Sequence, residues 1–313
     1  MATKEVVGFA GLGNMGLAMA RNLQDFLEKE KSSGAYDPSL RVWNRTQSKA
    51  QLLLDQGASL APSISDLAKG CTIVFAMLYD DAALEQAVDA FLAAGPPKGT
   101  IFTNCATVYP GCTETLAQKA RAAGVIYLTA PIFGRPDAIM QHKGLCISAG
   151  PEEGRRRVKP LLDAIGQGIL DVGDEARSGS AMKLVGNFCI SSIIEVIAEA
   201  MTLAEKNGIQ RQSVVQFIET LFPGHIFKGY VNGVANDKFE PTKEDPGFAL
   251  VGGMKDVGHM QRLGADSGAP LPIADIMMQH LEQVKDMGGG SLDWSALALA
   301  VRKQAGLSVA PLN

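Results

Sequence analysis

Residues 6–16 read VVGFAGLGNMG, and this stretch decides the fold. Val6–Ala10 is a short, continuous apolar run, which is typical of a strand that is buried on both faces. Three glycines follow it with the spacing G-x-G-x-x-G and open a helical segment. In this context the glycines make a tight turn, let the backbone approach a diphosphate, and let helix and strand pack closely. The stretch predicts a dinucleotide site at Gly11, Leu12, Gly13, Asn14, Met15 and Gly16.

The first half of the chain repeats this alternation of strand and helix. Apolar runs alternate with helical runs, and glycine or proline turns separate them, which indicates βαβ units and a parallel sheet covered on both faces. The predicted strands are Val6–Ala10, Leu40–Trp43, Thr72–Met77, Thr100–Asn104, Val125–Leu128, Leu145–Ser148 and Ile169–Val172. The predicted helices are Met15–Glu30, Ser48–Asp55, Ala82–Ala93, Gly111–Ala122 and Glu152–Ile165.

Near residue 175 the strand pattern ends, and long helical patterns follow. We therefore predict an α/β fold: a doubly wound Rossmann domain at residues 1–175, and then an all-α domain at residues 176–313.

Composition narrows the function classes. The chain has 313 residues, of which 46% are hydrophobic and 20% charged, and its net charge is −4. These values exclude a disordered chain, a coiled coil or a fibre, and an acidic balance without a basic stripe argues against nucleic-acid binding. The five cysteines show no disulfide or zinc spacing, and neither a secretory signal nor a membrane span is visible. We expect a cytoplasmic protein without a metal, a nucleic-acid partner or a membrane.

The end of the second predicted strand bears on the choice of dinucleotide. A dehydrogenase specific for NAD usually has Asp or Glu there to bind the ribose 2′-hydroxyl. This chain has Asn44, Arg45 and Thr46 instead. The Arg45 guanidinium could pair with a 2′-phosphate, and its neighbours could donate hydrogen bonds to it. The sequence therefore favours NADP, with an exposed, solvated Arg45 as the alternative.

A helix that starts near Ser178–Ser180 is apolar almost all round except for one polar stripe. Lys183, Asn187, Ser191 and Glu195 recur every four residues and so share one face. If the rest of the circumference is buried, Lys183 points into a polar cleft or across an interface. It could then act as a proton donor that Asn187 orients, or form a buried pair with a glutamate.

These motifs together resemble the β-hydroxyacid dehydrogenase family, which includes 3-hydroxyisobutyrate dehydrogenase and is related to the imine reductases. The resemblance spans essentially the whole chain. It rests on Gly11–Gly16, the N-R-T of residues 44–46, the Met77-Leu78 loop, Thr107 in A-T-V-Y-P, G-x-x-x-K-x-x-x-N from Gly179 through Lys183 to Asn187, and the Lys255-Asp256 pair. The resemblance implies that Lys183 and Asn187 are catalytic, that Thr107 lies near substrate and nicotinamide, and that Met77, Leu78 and Lys255 contact the cofactor.

One motif departs from the family. The family pattern D-A-P-V-S-G-G, whose serine contacts the substrate carboxylate, here reads TAPIFGR at residues 129–135. Phe133 replaces the serine and Arg135 replaces the second glycine, while Gly134 is kept. Arg135 could supply the anion contact, Phe133 could line a pocket for a larger apolar carbonyl or imine, or both residues could simply close the loop.

The resemblance implies an NADPH-dependent reductase that acts on a small aldehyde acid, keto acid or hydroxyacid, with Lys183 as proton donor or acceptor. It also implies a homodimer or homotetramer, with the all-α domain at residues 176–313 carrying the substrate and dimerisation surfaces. Two alternatives stay open. One is an imine reductase or reductive aminase acting on less polar carbonyls or imines, and the other is an NADP-binding protein without catalysis.

Overall fold

The computed structural model describes residues 4–242 and 245–309. The chain divides into two compact units, Met1–Lys183 and Leu184–Asn313. The division falls at Lys183, inside a long helix, so the domain boundary expected between residues 175 and 176 stays a prediction.

A parallel sheet forms the centre of the first unit, as the sequence predicts, and it contains six strands. Its strand order is β3-β2-β1-β4-β5-β6, so the order reverses beside β1. Such a reversal opens a crevice at the carboxyl ends of the strands on either side of it. The strands are β1 (Val7–Ala10), β2 (Arg41–Trp43), β3 (Ser59–Leu60), β4 (Ile73–Ala76), β5 (Ile101–Asn104) and β6 (Ile126–Thr129).

Helices cover both faces of this sheet because successive strand side chains point to opposite sides. Phe9 and Phe75 face one apolar layer, with Leu23 and Leu161. Val74 and Phe102 face the other, with Leu67, Leu84 and Leu116. The helices are α1 (Asn14–Lys29), α2 (Gln51–Leu54), α3 (Ile64–Gly70), α4 (Asp81–Ala93), α5 (Pro110–Ala122), α6 (Pro136–Met140) and α7 (Glu152–Ile165).

A second, three-stranded sheet differs from the single sheet that the sequence predicts. It consists of β7 (Ile132–Phe133), β8 (Leu145–Ser148) and β9 (Gly168–Asp171) in that order. β7 pairs antiparallel with β8, while β8 and β9 are parallel. Neither β3 nor β7 is predicted from the sequence, because two residues are too few to establish a period. The short α6 turns the chain back, and this turn makes the antiparallel pair possible.

The second unit is helical, and its described residues contain no strand. α8 (Ala176–Lys206) enters it from the first unit, and α9 (Arg211–Leu221), α10 (His225–Ala235), α11 (Leu250–Ser267), α12 (Pro272–Asp286) and α13 (Ala298–Gln304) follow. Its core contains Ile194, Ile197, Val257, Met277 and Trp294.

The polar stripe on α8 is buried. Lys183, Asn187, Ser191 and Glu195 are all at most 9% exposed. The expectation that the rest of the circumference is buried was wrong, since Val185, Val196 and Leu203 are 50, 61 and 67% exposed. By length and composition α8 could cross a membrane, but Ile194 and Ile197 lie in the core, which makes it a core helix.

The last residue of the stripe, Glu195, forms a buried pair with His280 of α12. The His280 Nδ1 atom lies 2.7 Å from Glu195 Oε1, and His280 is 7% exposed. The hydrogen bond to Glu195 raises the pKa of His280 above its ordinary value, although burial acts in the opposite direction. The pair therefore ties α8 to α12 most strongly when the imidazole is protonated.

This raised pKa predicts a pH-dependent stability. The group binds its proton more tightly when folded, so its contribution is complete below the unfolded pKa of about 6.5 and is lost as the pH rises through the higher folded value. We expect the urea midpoint of wild type to exceed that of His280→Gln by an amount that shrinks from about pH 6 to about pH 9. Each unit of raised pKa contributes about 1.4 kcal/mol. Glu195→Gln should abolish the dependence, and a difference that stays constant with pH would contradict this account.

Candidate functional site

The glycine loop lies at the carboxyl end of β1, beside the reversal in strand order. Gly11 has φ +94°, and a Cβ added there would overlap the Met77 carbonyl oxygen. A Cβ at Gly16 would overlap the Gly11 carbonyl oxygen, so both glycines allow close backbone contacts. Gly13 differs, because a Cβ added there meets nothing within 4 Å. The fold therefore does not need glycine at position 13, whereas a diphosphate approaching the backbone would.

The first turn of α1 can receive an anion. Gly13 is its N-cap, no side chain caps it, and the first turn has no acidic residue. Gly13 and Asn14 are exposed, and Met15 is half-buried. Amides at such a helix start attract phosphate. Leu12 is different, since its side chain is buried and its amide donates to Asn44 Oδ1 at 2.8 Å.

The end of β2 holds the residues expected to select the dinucleotide. Asn44 joins two loops, because its oxygen accepts from Leu12 and its Nδ2 donates to the Thr46 carbonyl at 2.8 Å. Arg45 and Thr46 are exposed. A cation at this strand end suits a phosphate better than it suits a hydroxyl.

The carboxyl ends of β4 and β5 carry the next predicted residues. Met77 and Leu78 are half-buried, and both approach Gly11. Thr107 is half-buried in the loop between β5 and α5. Asp81, which the sequence analysis missed, accepts a hydrogen bond from the Tyr109 amide at 3.1 Å and so supports that loop. The structure thus brings the glycine loop, Asn44 and Met77 together, with Thr107 on the same edge of the sheet.

Close packing sets the position of Lys183. A Cβ at Gly179 would overlap Thr129 Oγ1, so only glycine lets the first turn of α8 approach the end of β6 this closely. The Thr129 hydroxyl donates to the Ala176 carbonyl at 2.6 Å. On the neighbouring side Ser180 and Thr113 share a buried hydrogen bond of 2.7 Å. Lys183 follows Gly179 by about one turn.

The Lys183 ammonium lies against the segment that departs from the family. Its Nζ donates to the Ile132 carbonyl at 2.8 Å and lies 4.0 Å from the centre of the Phe133 ring. Gly134 follows with φ +141°, and Arg135 is the half-buried N-cap of α6. The structure therefore brings Lys183 and Phe133 together. Gly134 and Arg135 follow Phe133 directly in the sequence.

In the second unit, the predicted residues Asn187 and Lys255 lie at the carboxylate of Asp256. Asp256, which is 1% exposed, accepts from Asn187 Nδ2 at 2.8 Å. Lys255 Nζ lies 3.0 Å from the other oxygen of Asp256. The carboxylate thereby fixes the Asn187 amide. Asp256 was not chosen as a site residue from the sequence, although its place beside Lys255 was a usable signal. The contact of Lys255 with a cofactor stays a prediction.

Metal chemistry has no support in the described residues, among which no cluster of three His, Cys, Asp or Glu side chains occurs. All five cysteines are free. Burial raises the pKa of the Cys71 and Cys146 thiols to about 12, so both stay neutral.

Alanine substitutions at Gly13 and Gly16 test the dinucleotide site. Gly13→Ala should weaken the binding of NAD(P)H by roughly tenfold or more, since the methyl group would occupy the path of the diphosphate. Its unfolding midpoint should stay near that of wild type, because the fold leaves this space open. Gly16→Ala should instead lower stability by about 1–3 kcal/mol through the overlap with Gly11. Fluorescence titration measures the affinity for NAD(P)H, and urea unfolding measures the stability. Equal affinity in wild type and Gly13→Ala would contradict the assignment of the dinucleotide site.

Solved structures share this architecture. A 3-hydroxyisobutyrate dehydrogenase from Mycobacterium tuberculosis, solved with L-serine, is 25% identical with a TM-score of 0.80, over 96% of this chain and 100% of that one. A reductive aminase from Aspergillus terreus, solved with NADPH and ethyl levulinate, is 26% identical with a TM-score of 0.58, over 94% and 98%.

Sequence relatives extend over the whole chain as well. An uncharacterised oxidoreductase of Bacillus subtilis, YfjR, is 32% identical over 95% of this chain and 99% of its own length. The NADH-dependent oxidoreductase ucdB of Aspergillus ustus is 27% identical over 94% and 98%.

Two family models match consecutive parts of the chain. The NAD binding domain of 6-phosphogluconate dehydrogenase matches residues 6–173, which include the glycine loop and the parallel sheet. The NAD-binding domain of NADP-dependent 3-hydroxyisobutyrate dehydrogenase matches residues 178–301, which include Lys183, Asn187 and Lys255. The chain belongs to the β-hydroxyacid dehydrogenase family of NAD(P)-dependent oxidoreductases, whose structural neighbours include imine reductases.

Proposed function

We propose that this protein is an NADPH-dependent reductase that converts a small carbonyl compound to the alcohol, with Lys183 as the proton donor. The observation that carries the proposal is a buried lysine ammonium held by the Ile132 carbonyl, about one turn after the close approach of Gly179. A lysine confined in this way donates a proton from one fixed place.

The residues divide the reaction between them. A nicotinamide, when bound, supplies the hydride that the carbonyl carbon accepts. Lys183 gives its proton to the carbonyl oxygen as that oxygen gains negative charge, and in the reverse direction it takes the proton back. Asn187, one turn later on α8, orients the substrate oxygen or the lysine with the amide that Asp256 fixes. Thr107 and Gly134 position the substrate.

The coenzyme assignment rests on the end of β2. Arg45 would pair with the 2′-phosphate of NADP, Thr46 would donate to it, and no carboxylate stands there to hold a ribose hydroxyl. The reductive aminase relative was solved with NADPH, which agrees with this assignment, while ucdB uses NADH and has the opposite preference.

The substrate we favour is a small aldehyde acid, keto acid or hydroxyacid. Arg135, half-buried and directly after Gly134, would hold its carboxylate in place of the serine contact. The 3-hydroxyisobutyrate dehydrogenase relative was solved with L-serine, itself a hydroxyacid. A second candidate is the reduction of less polar carbonyls or imines. Phe133 favours it, because an aromatic ring cannot hydrogen-bond a carboxylate.

The exposed apolar residues of α8 favour assembly. Val185, Val196 and Leu203 are unusually exposed for aliphatic side chains of a long helix. We propose that a homodimer or homotetramer covers them. The five free cysteines agree with a cytoplasmic location.

Replacing Lys183 tests the proposed chemistry. Lys183→Ala should lower kcat by roughly 10²–10⁴-fold and leave the Kd for NADPH unchanged, since it removes a proton donor. NADPH oxidation would be measured on matched aldehyde acids, apolar aldehydes or ketones, and cyclic imines. Turnover of aldehyde acids that depends on Lys183 supports the first candidate, and turnover of imines or apolar carbonyls alone supports the second. Full activity of Lys183→Ala would contradict the role of Lys183 as proton donor. Tight NADPH binding by a wild-type protein that shows no activity would favour a binding protein without catalysis.

Replacing Arg45 tests the coenzyme preference. Arg45→Ala should raise the KM for NADPH by roughly tenfold to a hundredfold, since a charged hydrogen bond is lost, and leave the KM for NADH nearly unchanged. Lys49→Ala is the matched control, because Lys49 is an exposed cation four residues further on. An equal effect of both variants on NADPH would mean that general charge, and not Arg45, attracts the coenzyme.

A further inference from the structure

The contact between Phe133 and Lys183 lies in the segment that departs from the family pattern. The Lys183 ammonium lies 4.0 Å from the ring centre, which is within the range of a cation–π interaction. The same ammonium donates to the carbonyl of Ile132, the residue next to Phe133. Two adjacent residues of β7 therefore hold one charged group, one through an oxygen and the other through a ring face.

The ring is itself held in place. Ile132 is 3% exposed and packs in the core of the first unit. Phe133 lies opposite Leu145 in the antiparallel pair of β7 and β8. The turn at Gly134 follows directly, with a φ that favours glycine. Because the backbone on both sides of the ring is constrained, the ring can restrict the lysine instead of moving with it.

The interaction acts on a side chain that is otherwise hard to confine. A lysine has four rotatable bonds and no fixed fork, so a hydrogen bond to its ammonium does not by itself fix the orientation of the side chain. The negative face of an aromatic ring attracts the charge from a second direction. A serine hydroxyl at this position would offer no such face, and an aliphatic side chain would fill the space without attracting the charge.

We infer that Phe133 is a positioning residue for proton transfer: its ring holds the Lys183 ammonium against the Ile132 carbonyl, in the orientation from which the lysine donates. The inference rests on the proposed function, in which Lys183 is the proton donor. In the transfer an N–H bond of the ammonium breaks, an O–H bond forms on the product alcohol, and the neutral amine regains a proton from solvent. Phe133 exchanges no atom or electron in this step.

Variants at position 133 distinguish the effect of the aromatic ring from the effect of side-chain volume. Phe133→Leu should lower kcat by roughly three- to thirtyfold on the best substrate of the panel, and Phe133→Tyr should retain most of it. Leu145→Ala is the matched control, because it shortens the cross-strand neighbour of Phe133 while keeping the backbone pairing of β7 and β8, and it should leave kcat near that of wild type. In the Lys183→Ala background, Phe133→Leu should cost nothing further, because the ring acts through the lysine.

The possible failures are distinguishable. Turnover that survives Lys183→Ala overturns the proposed function. Lys183-dependent turnover with a wild-type kcat in Phe133→Leu overturns only the inference. A loss that is equal with and without Lys183, or equal in Phe133→Leu and Leu145→Ala, assigns Phe133 a packing or substrate-contact role instead.

Fluorinated phenylalanines test the electrostatic cause at nearly constant shape. Each added fluorine withdraws charge from the ring face, so kcat should fall stepwise as one, two and three fluorines are introduced at position 133. The KM for NADPH should not change along the series. A flat series would show that the ring restricts the lysine by shape alone, which contradicts the inference.

A spectroscopic measurement needs no substrate. Protons above an aromatic ring face resonate upfield, so the ε-methylene signal of Lys183 should be shifted in wild type labelled with ¹³C-lysine. Lys183→Ala assigns that signal by its disappearance. Phe133→Leu should return it to the position of ordinary lysines, and an unshifted signal in folded wild type would overturn the proposed contact.

Discussion

Burial of the parallel sheet on both faces is the constraint on which the rest of the first unit depends. The side chains of β1, β4 and β5 alternate between two apolar layers, so none of these residues is available for chemistry. Polar function can therefore appear only where the strands end. The glycine loop follows β1, Asn44 follows β2, Met77 follows β4 and Thr107 follows β5. The reversal of strand order beside β1 keeps these ends from being covered by a single crossing helix.

The burial of the strands also explains which parts of the fold could be predicted from the sequence. Long apolar strands and periodic helices carry strong signals, and the bounds of β8 and α7 agree with the predictions to the residue. The two-residue strands β3 and β7 carry almost none, because two residues are too few to show a period. The site divides in the same way. The glycine spacing and the four-residue stripe of α8 were visible, while the anchoring of Asn187 by Asp256 and the contact of Lys183 with Phe133 depend on tertiary packing.

Burying the polar stripe of α8 has a free-energy cost. Moving an ammonium from water into a protein interior is unfavourable unless other polar groups replace the water. At Lys183 a backbone carbonyl and a ring face replace part of that hydration. At Glu195 an imidazole does so, three turns further along the same helix. One stripe thus contains two buried charged groups, Glu195 paired with the titratable His280 and Lys183 held by the strand β7.

The change at position 133 couples these two requirements. The family pattern has a serine at this position, whereas here the ring of Phe133 lies against the Lys183 ammonium. A single side chain cannot both bind a carboxylate and cover an ammonium with an apolar face. If the substrate carries a carboxylate, its contact must move to another donor, and Arg135 is the cation two residues further along. The paired departures at Phe133 and Arg135 are then one change, in which the ring takes over the lysine and the guanidinium takes over the anion. If the substrate carries no carboxylate, only the first of these departures bears on the reaction, and Arg135 is then a residue of the structure, at the N-cap of α6.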